Sequence, residues 1–194
     1  IKAIHPEGHT VLALVSSQTQ GVEITDDWDG FGQKTTGSGT VTIKNAAIAR
    51  DHILPFEERF KYQTAFYQAV HLATLAGIAQ SAVEAFTQEV RERTRIYSHG
   101  NADLVREDAQ ILQVIGKASA QAYAAEAIAL RAAEALDGAY LSHFQNDETA
   151  GLQANDRAEL ESSQGQVVIS ELVLNLTAEL FNALGASAST AEKQ

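Results

Sequence analysis

A proline inside a helix clashes with the preceding turn and offers no N–H, so its distribution decides where long helices can form. This 194-residue chain has two prolines, Pro6 and Pro55, and none from residue 56 to the end. Long uninterrupted helices are therefore permitted from residue 56 onward. The alanine-rich sequence there favours them. Before Pro55 the texture is different. Short β-type runs, "IKAI", "VLALV" (Val11 to Val15), "GVEIT" and "GTVTIKNAAI" (Gly39 to Ile48), are separated by turn chemistry. In the last run Val41, Ile43 and Asn45 alternate with Thr40, Thr42 and Lys44, the period of a strand. The two textures predict an α+β fold, with a partial antiparallel β-domain over 1–55 and an up-down helical bundle over 56–194. The chain starts at Ile1 inside a strand pattern and contains no methionine, so it reads as a fragment.

Periodicity places three helices. The first is expected over 57–97, with a stripe at Ala79, Val83, Phe86 and Val90 continued upstream by Phe66, Val70 and Ala73. Its middle, "LATLAGIAQSAV", is apolar nearly all round and predicts a buried central helix. The second, over 102–136, carries Leu104, Ile111, Ile115, Ala118, Ala122, Ala125, Ala129, Ala132 and Leu136, with Asn101 as its N-cap. Alanine at such positions lets helix axes approach closely. The third is expected to open at Asp156, with Glu159 completing a capping box, and to bury Val168, Leu172, Leu176, Leu180 and Leu184. Gly185 stands where a glycine ends a helix. The stretch between the second and third helices reads as a linker.

Charge and composition exclude several functions. A formal net charge of −11 and a pI of about 4.9 repel nucleic-acid backbones and anionic membranes, so neither is an expected partner. No uninterrupted apolar run approaches the ~20 residues that span a bilayer, and no signal-like start is present. The absence of cysteine rules out disulfides and thiolate metal sites and is compatible with the cytoplasm. Histidines at 5, 9, 52, 71, 99 and 143 form no H-E-x-x-H pattern, so no metal site is expected. No G-x-S-x-G nucleophile elbow occurs.

Three stretches remain as candidate sites. "DDWDGFGQKTTGSGTVTIKN" (Asp26 to Asn45) is glycine-rich but has neither G-x-G-x-x-G nor a Walker lysine, and a strand follows it. A phosphate cradle needs a helix N-terminus at that point, so this is not a P-loop. It is either a structural turn or a ligand-facing loop in which Thr35, Thr36 and Ser38 supply hydroxyls. "RERTRIYSHG" (Arg91 to Gly100) places Arg91 and Arg95 on one helical face and Arg93 away from both. These are either cations favoured by the helix dipole or a guanidinium reaching toward phosphate. "LFNALGASASTAEK" (Leu180 to Lys193) is either a plain C-cap or a place where a ligand lies against small residues.

Taken together, these stretches resemble the acyl-CoA dehydrogenase superfamily, and in particular its flavin-dependent monooxygenase branch, which includes dibenzothiophene and sulfone-type desulfurisation enzymes. "DDWDGFGQKTTGSGTVTIKNAAIARDHILP" is similar to that family's glycine-rich turn, strand and proline exit. "ERTR" resembles its "E-R-x-x-F" helix end, although Ile96 stands in place of Phe, and "LFNALGASA" resembles its Gly-Gly helix exit. The resemblance implies the later strands of a middle β-domain, most of a C-terminal four-helix bundle, and a flavin (FMN or FAD) held between them in a homotetramer or dimer. It implies cofactor contacts from Arg93, reaching the phosphates across a subunit interface with Arg95 beside it, from Gly185, Ala186 and Ser187, and from Thr36, Gly37 and Ser38, with Trp28 bordering the pocket. It also implies a small-molecule substrate and a flavin reductase or an electron-transfer flavoprotein as partner. Reduced-flavin monooxygenation of a small organosulfur compound is the expected activity. Acyl-CoA dehydrogenation and a non-catalytic helical assembly module are the alternatives. The segments that carry catalytic residues in this family lie outside the sequence, so no catalytic acid or base is assigned.

Overall fold

The computed structural model describes residues 1–145 and 147–186. They form two compact units, Ile1–Phe60 and the chain from Lys61 onward.

The strands of the first unit pair antiparallel in two small sheets. Strands β1 (Lys2–Ile4), β2 (Thr10–Ala13) and β5 (Ile53–Pro55) pair in the order β1-β2-β5, while β3 (Val22–Thr25) pairs with β4 (Thr40–Ile43). β2 is the central strand, and its Val11 and Ala13 point inward and are buried, as alternation requires. The expected strand beyond Gly39 is shorter than its pattern. It ends at Ile43 because Asn45 takes a left-handed conformation (φ 53°) that breaks the pleat.

The second unit contains α1 (Gln63–Glu92), α2 (Ala109–Ser142) and α3 (Glu148–Leu184). Their packing is up-down-up. Ala65 at the start of α1 packs with Ala135 and Ala139 at the end of α2 and with Ala158 early in α3. At the other end, Val90 of α1 meets Ile111 of α2 and Ala183 and Leu184 of α3. Between these clusters Leu72, Ala76 and Ala79 face Ala118, Ala125 and Ala132 and the larger Ile169, Val173, Leu176 and Leu180. Alanine on two helices opposite branched residues on the third brings the axes close without leaving voids. Gly165 marks the tightest point. A Cβ there would lie 3.0 Å from Leu72 Cδ1 and 3.1 Å from Ile128 Cγ2. Between α2 and α3, Arg131 donates from Nε and an Nη to Glu161 (3.1 and 3.0 Å) and holds that carboxyl below its ordinary pKa.

Several boundaries differ from those predicted. α1 starts at Gln63 and stops at Glu92, with a 3-10 turn at Phe56–Glu58 in place of the expected first turn. α2 starts late, at Ala109, because Asp108 and not Asn101 caps it: Gln110 N donates to Asp108 Oδ1 at 2.9 Å. Leu104 therefore lies before the helix. The predicted linker is mostly helix, since α2 continues to Ser142 and α3 opens at Glu148. Asp147 caps α3 by accepting from Ala150 N at 3.0 Å. Asp156 and Glu159 lie inside α3, where the alanine packing of Ala154 and Ala158 overrides a local capping signal.

The stripes shift as well. Phe66, Val70 and Val168 are exposed, while Ala65, Leu72, Ile169 and Val173 are buried. α1 is not a fully buried central helix. In an 18-residue window of mean hydropathy 1.2, only 17% is buried. By length and hydropathy alone α1 and α3 could each cross a membrane, which uninterrupted apolar runs did not indicate because polar residues are spaced along both.

The packing yields a first prediction. Gly165→Leu should overpack the α1–α2–α3 contact and cost about 1–3 kcal/mol, read as a lower urea midpoint at unchanged m-value. An unchanged midpoint would mean that the helices do not approach as closely as described.

Candidate functional site

The end of the bundle where α1 and α3 terminate assembles the second and third candidate stretches. α3 runs out at Leu184, so its last carbonyls lack the amide partners that a continuing helix would give them. Gly185 follows with φ 61° and ψ −151°, a conformation essentially reserved for glycine, and its amide closes onto Phe181 O. α1 ends one residue before Arg93, whose backbone turns extended. The Arg93 side chain crosses to α3 and donates from an Nη to Leu184 O at 3.1 Å, while its Nε donates to Arg95 O at 3.2 Å. The guanidinium lies over the Tyr97 ring, 5.1 Å from its centroid, within cation–π range. The Tyr97 hydroxyl also faces α3: a Cβ on Gly185 would come within 3.2 Å of it. Arg93, Tyr97, Leu184 and Gly185 are thus one constellation built from two helix ends.

The helix-terminus reading of these arginines is therefore realised in part. Arg93 does answer a helix C-terminus, but that of α3 and not of its own helix. Arg95 lies beyond α1, so helical phase does not fix its direction. It contributes a backbone carbonyl here, and its side chain is exposed. Ala186 is exposed, and Ser187 lies outside the described residues. Tyr97 was missed. The signal was present in "RTRIY", where an aromatic two residues after Arg95 is within reach of a guanidinium once the helix has ended.

The segment feeding α2 is also braced. Asp108 is buried, at 6% exposure, yet charged. Its Oδ2 accepts from Asn101 N at 2.9 Å and its Oδ1 from Gln110 N. The Asn101 amide first, and the Gln110 amide next, hold its carboxyl below the ordinary pKa. Arg106 donates to Arg91 O at 3.3 Å and ties the same segment to α1.

In the β unit, the glycine-rich stretch is the connection between β3 and β4. No helix follows it, so the P-loop stays excluded. Asp27 clamps its exit: Oδ1 accepts from Thr40 N and Oδ2 from Thr40 Oγ1, both at 2.8 Å. The Thr40 hydroxyl, and then its amide, lower the Asp27 pKa. Within the loop, Trp28 Nε1 donates to Gly32 O (2.7 Å) and Thr36 Oγ1 donates to Gln33 O (2.7 Å). The Thr36 and Ser38 hydroxyls lie 2.9 Å apart, on either side of Gly37 at φ 64°. Thr36, Gly37 and Ser38 are therefore brought together in this loop, while Trp28 bonds to Gly32 in its first half. Trp28 is half exposed, and Phe31 projects fully into solvent.

The histidines are not all scattered. The β1–β2 turn carries His5, Glu7 and His9 side by side, offering one ligand atom each within 4.8 Å of one another. A search for helical metal motifs misses this, because a hairpin and not a helix folds residue 9 back onto residue 5.

Comparison with known proteins defines the class. Residues 69–194 match the acyl-CoA dehydrogenase C-terminal domain. The chain belongs to that family. Among its relatives, the dibenzothiophene monooxygenase of Mycolicibacterium goodii is 26% identical over 192 residues, 93% of this chain and 45% of that protein. The probable FMNH2-dependent monooxygenase SfnC of Pseudomonas putida is 26% identical over 191 residues, 95% of this chain and 47% of its own. In structure, the indole-bound dibenzothiophene monooxygenase TdsC of Paenibacillus sp. A11-2 superposes with a TM-score of 0.86 at 25% identity, over 100% of this chain and 51% of TdsC. TdsC has also been solved as a complex with FMN and indole. The methanesulfinate monooxygenase MsuC of Pseudomonas fluorescens shares the fold, with a TM-score of 0.85 at 21% identity over 99% of this chain and 50% of MsuC. The chain spans about half the length of the relatives it matches.

Asp108 gives a prediction with a definite sign. A lowered folded-state pKa stabilises above the unfolded carboxylate value, about 3.9, and the contribution is lost as pH falls through the lower folded value. Asp108→Asn keeps an acceptor at the cap but removes this titration. It should be less stable than the wild type at neutral pH, and the gap in urea midpoint should narrow below about pH 4. A gap that stays constant with pH would contradict the assignment.

Proposed function

We propose that the chain is the strand-and-bundle part of a reduced-flavin monooxygenase that takes FMN and oxidises a small organosulfur compound. One observation in the structure carries this reading: the Arg93–Tyr97–Leu184–Gly185 constellation. A guanidinium held by two carbonyls and an aromatic face is a planar cation whose direction is fixed before any ligand arrives, and such a fork suits phosphate oxygens. Beside it the Gly185 backbone packs against the Tyr97 hydroxyl, which stands 3.2 Å from where a Cβ would lie and offers a further donor to an anionic group. Together they fit the phosphate end of a flavin mononucleotide on the chemistry of their donors. When bound, reduced flavin supplies the electrons for oxygen activation. The residues described here bind and orient; no proton transfer is assigned to any of them.

The names of the relatives support the rest. The Pseudomonas putida relative is described as FMNH2-dependent, and the structural neighbours act on dibenzothiophene or methanesulfinate. A protein that consumes reduced flavin needs a flavin reductase as partner, and the proposal includes one. It also includes self-association. Large apolar side chains stand exposed on all three helices, among them Tyr67, Val70 and Ile78 on α1, Leu130 on α2, and Leu160 and Leu174 on α3. Exposed apolar side chains of this kind are what self-association would cover, and a homotetramer or dimer is the assembly proposed.

The test uses the full-length protein. Titration with FMN and with FAD, followed by flavin fluorescence, should show saturable binding of FMN. Arg93→Ala should weaken it at least about tenfold, equivalent to ~1.4 kcal/mol, and Arg93→Lys should recover only part, because an ammonium lacks the fork. With a reductase, NADH and oxygen, the protein should convert dibenzothiophene or methanesulfinate to an oxygenated product. Flavin fluorescence indifferent to the protein, or acyl-CoA oxidation coupled to an electron carrier without oxygen uptake, would overturn the proposal.

A further inference from the structure

The β1–β2 hairpin holds a cluster that the flavin chemistry does not use. "HPEGH" closes the hairpin, with His5 following the last residue of β1 and His9 preceding the first of β2. Two backbone bonds at 2.8 Å, His5 N to His9 O and Gly8 N to His5 O, fix the turn, and the ladder continues immediately with Ile4 opposite Thr10. Pro6 fixes one backbone angle inside the turn, and Gly8 takes the left-handed position (φ 91°) that closes it. The imidazoles of His5 and His9 stack with centroids 4.5 Å apart and planes 24° from parallel. Glu7 Oε2 lies 3.8 Å from His5 Nδ1, and one donor atom from each of the three side chains falls within 4.8 Å of the others.

We propose that His5, Glu7 and His9 form a binding site for a borderline divalent first-row cation, of which Zn2+ is the representative probe. Two imidazoles and one carboxylate are a ligand set suited to such ions, and three protein ligands leave a fourth position for water. Tetrahedral bonds of about 2.0–2.1 Å put ligand atoms roughly 3.3 Å apart, so the cluster must contract by about 1.5 Å at most. Glu7 is largely exposed and can rotate inward, and the stacked imidazoles must also turn about their side-chain bonds, on a backbone fixed by hydrogen bonds, to aim one nitrogen each at a common ion; ligation through His5 Nδ1 would displace the Glu7 amide that donates to it at 3.3 Å. The ion would cross-link the two ends of the hairpin and strengthen β1–β2 pairing. An overall charge of −11 favours cation capture further.

The experiment is a zinc titration of untagged full-length protein against a chromophoric chelator, with thermal unfolding as a second readout. One Zn2+ should bind per chain at His5–His9. His9→Ala and His5→Ala should each weaken binding at least about tenfold, and Glu7→Gln should weaken it less, because a neutral amide is a poorer ligand. His52→Ala, at the far end of β2 from the turn, should bind like the wild type. Zinc should raise the unfolding midpoint of the wild type and not of His9→Ala. Glu7→Gln alters only an exposed side chain, so its affinity is informative even if a histidine variant folds poorly. Absence of stoichiometric binding, or affinities unchanged in both His9→Ala and Glu7→Gln, would overturn the proposal.

Discussion

Close approach of three proline-free helices through small residues is the constraint on which the bundle depends. Ala76, Ala79, Ala118, Ala125 and Ala132 leave room for Ile169, Val173, Leu176 and Leu180, and Gly165 admits Leu72 and Ile128 where a methyl group would already press on both. With the axes held this close, α1 and α3 also end at the same level, where Val90 packs with Ala183 and Leu184. The guanidinium just past α1 can then reach the last carbonyl of α3. The site is a consequence of the packing: larger side chains along the seam would separate Arg93 from Leu184.

That meeting solves two local problems at once. A helix C-terminus presents unsatisfied carbonyls and partial negative charge, and an arginine just past a helix end needs acceptors to define its direction. Each supplies what the other lacks. Tyr97 adds an aromatic face under the cation, and the turn at Gly185 lets the α3 backbone pass close to the tyrosine hydroxyl. Asp108, held below its ordinary pKa by two amides, braces the segment that follows. On the proposed reading, a guanidinium oriented before the ligand is present lowers the ordering cost of binding.

Much of this was legible in the sequence and some was not, for identifiable reasons. Proline placement and alternation gave the α+β division. The glycine-rich stretch, the arginine run and the Gly185 helix exit pointed to the right family, because those features combine turn chemistry with charge and do not depend on tertiary register. Helix boundaries fared worse. Asn101 and Asp156 are sound capping residues locally, but Asp108 and Asp147 cap the helices: packing of Ala139 with Ala158 favours extending both helices toward the α2–α3 turn, while at the start of α2 Asp108 accepts from Asn101 N as well as Gln110 N and folds the preceding segment back outside the helix. Val168 and Leu172 were chosen one position away from Ile169 and Val173: in an apolar helix adjacent stripes look alike, and only the partner helices choose between them. The role of Tyr97 and the approach of His5 to His9 depend on where a helix stops and how tightly a hairpin closes, and neither is written in residue spacing alone.

The central claim is that the ends of α1 and α3 act as one flavin-binding unit. A double-mutant cycle on FMN affinity in the full-length protein, using Arg93→Ala, Gly185→Ala and the double variant, tests it most directly. Residues acting as a unit should be strongly non-additive, the double variant binding little worse than the weaker single one. Strictly additive losses, or an affinity insensitive to both substitutions, would contradict the account.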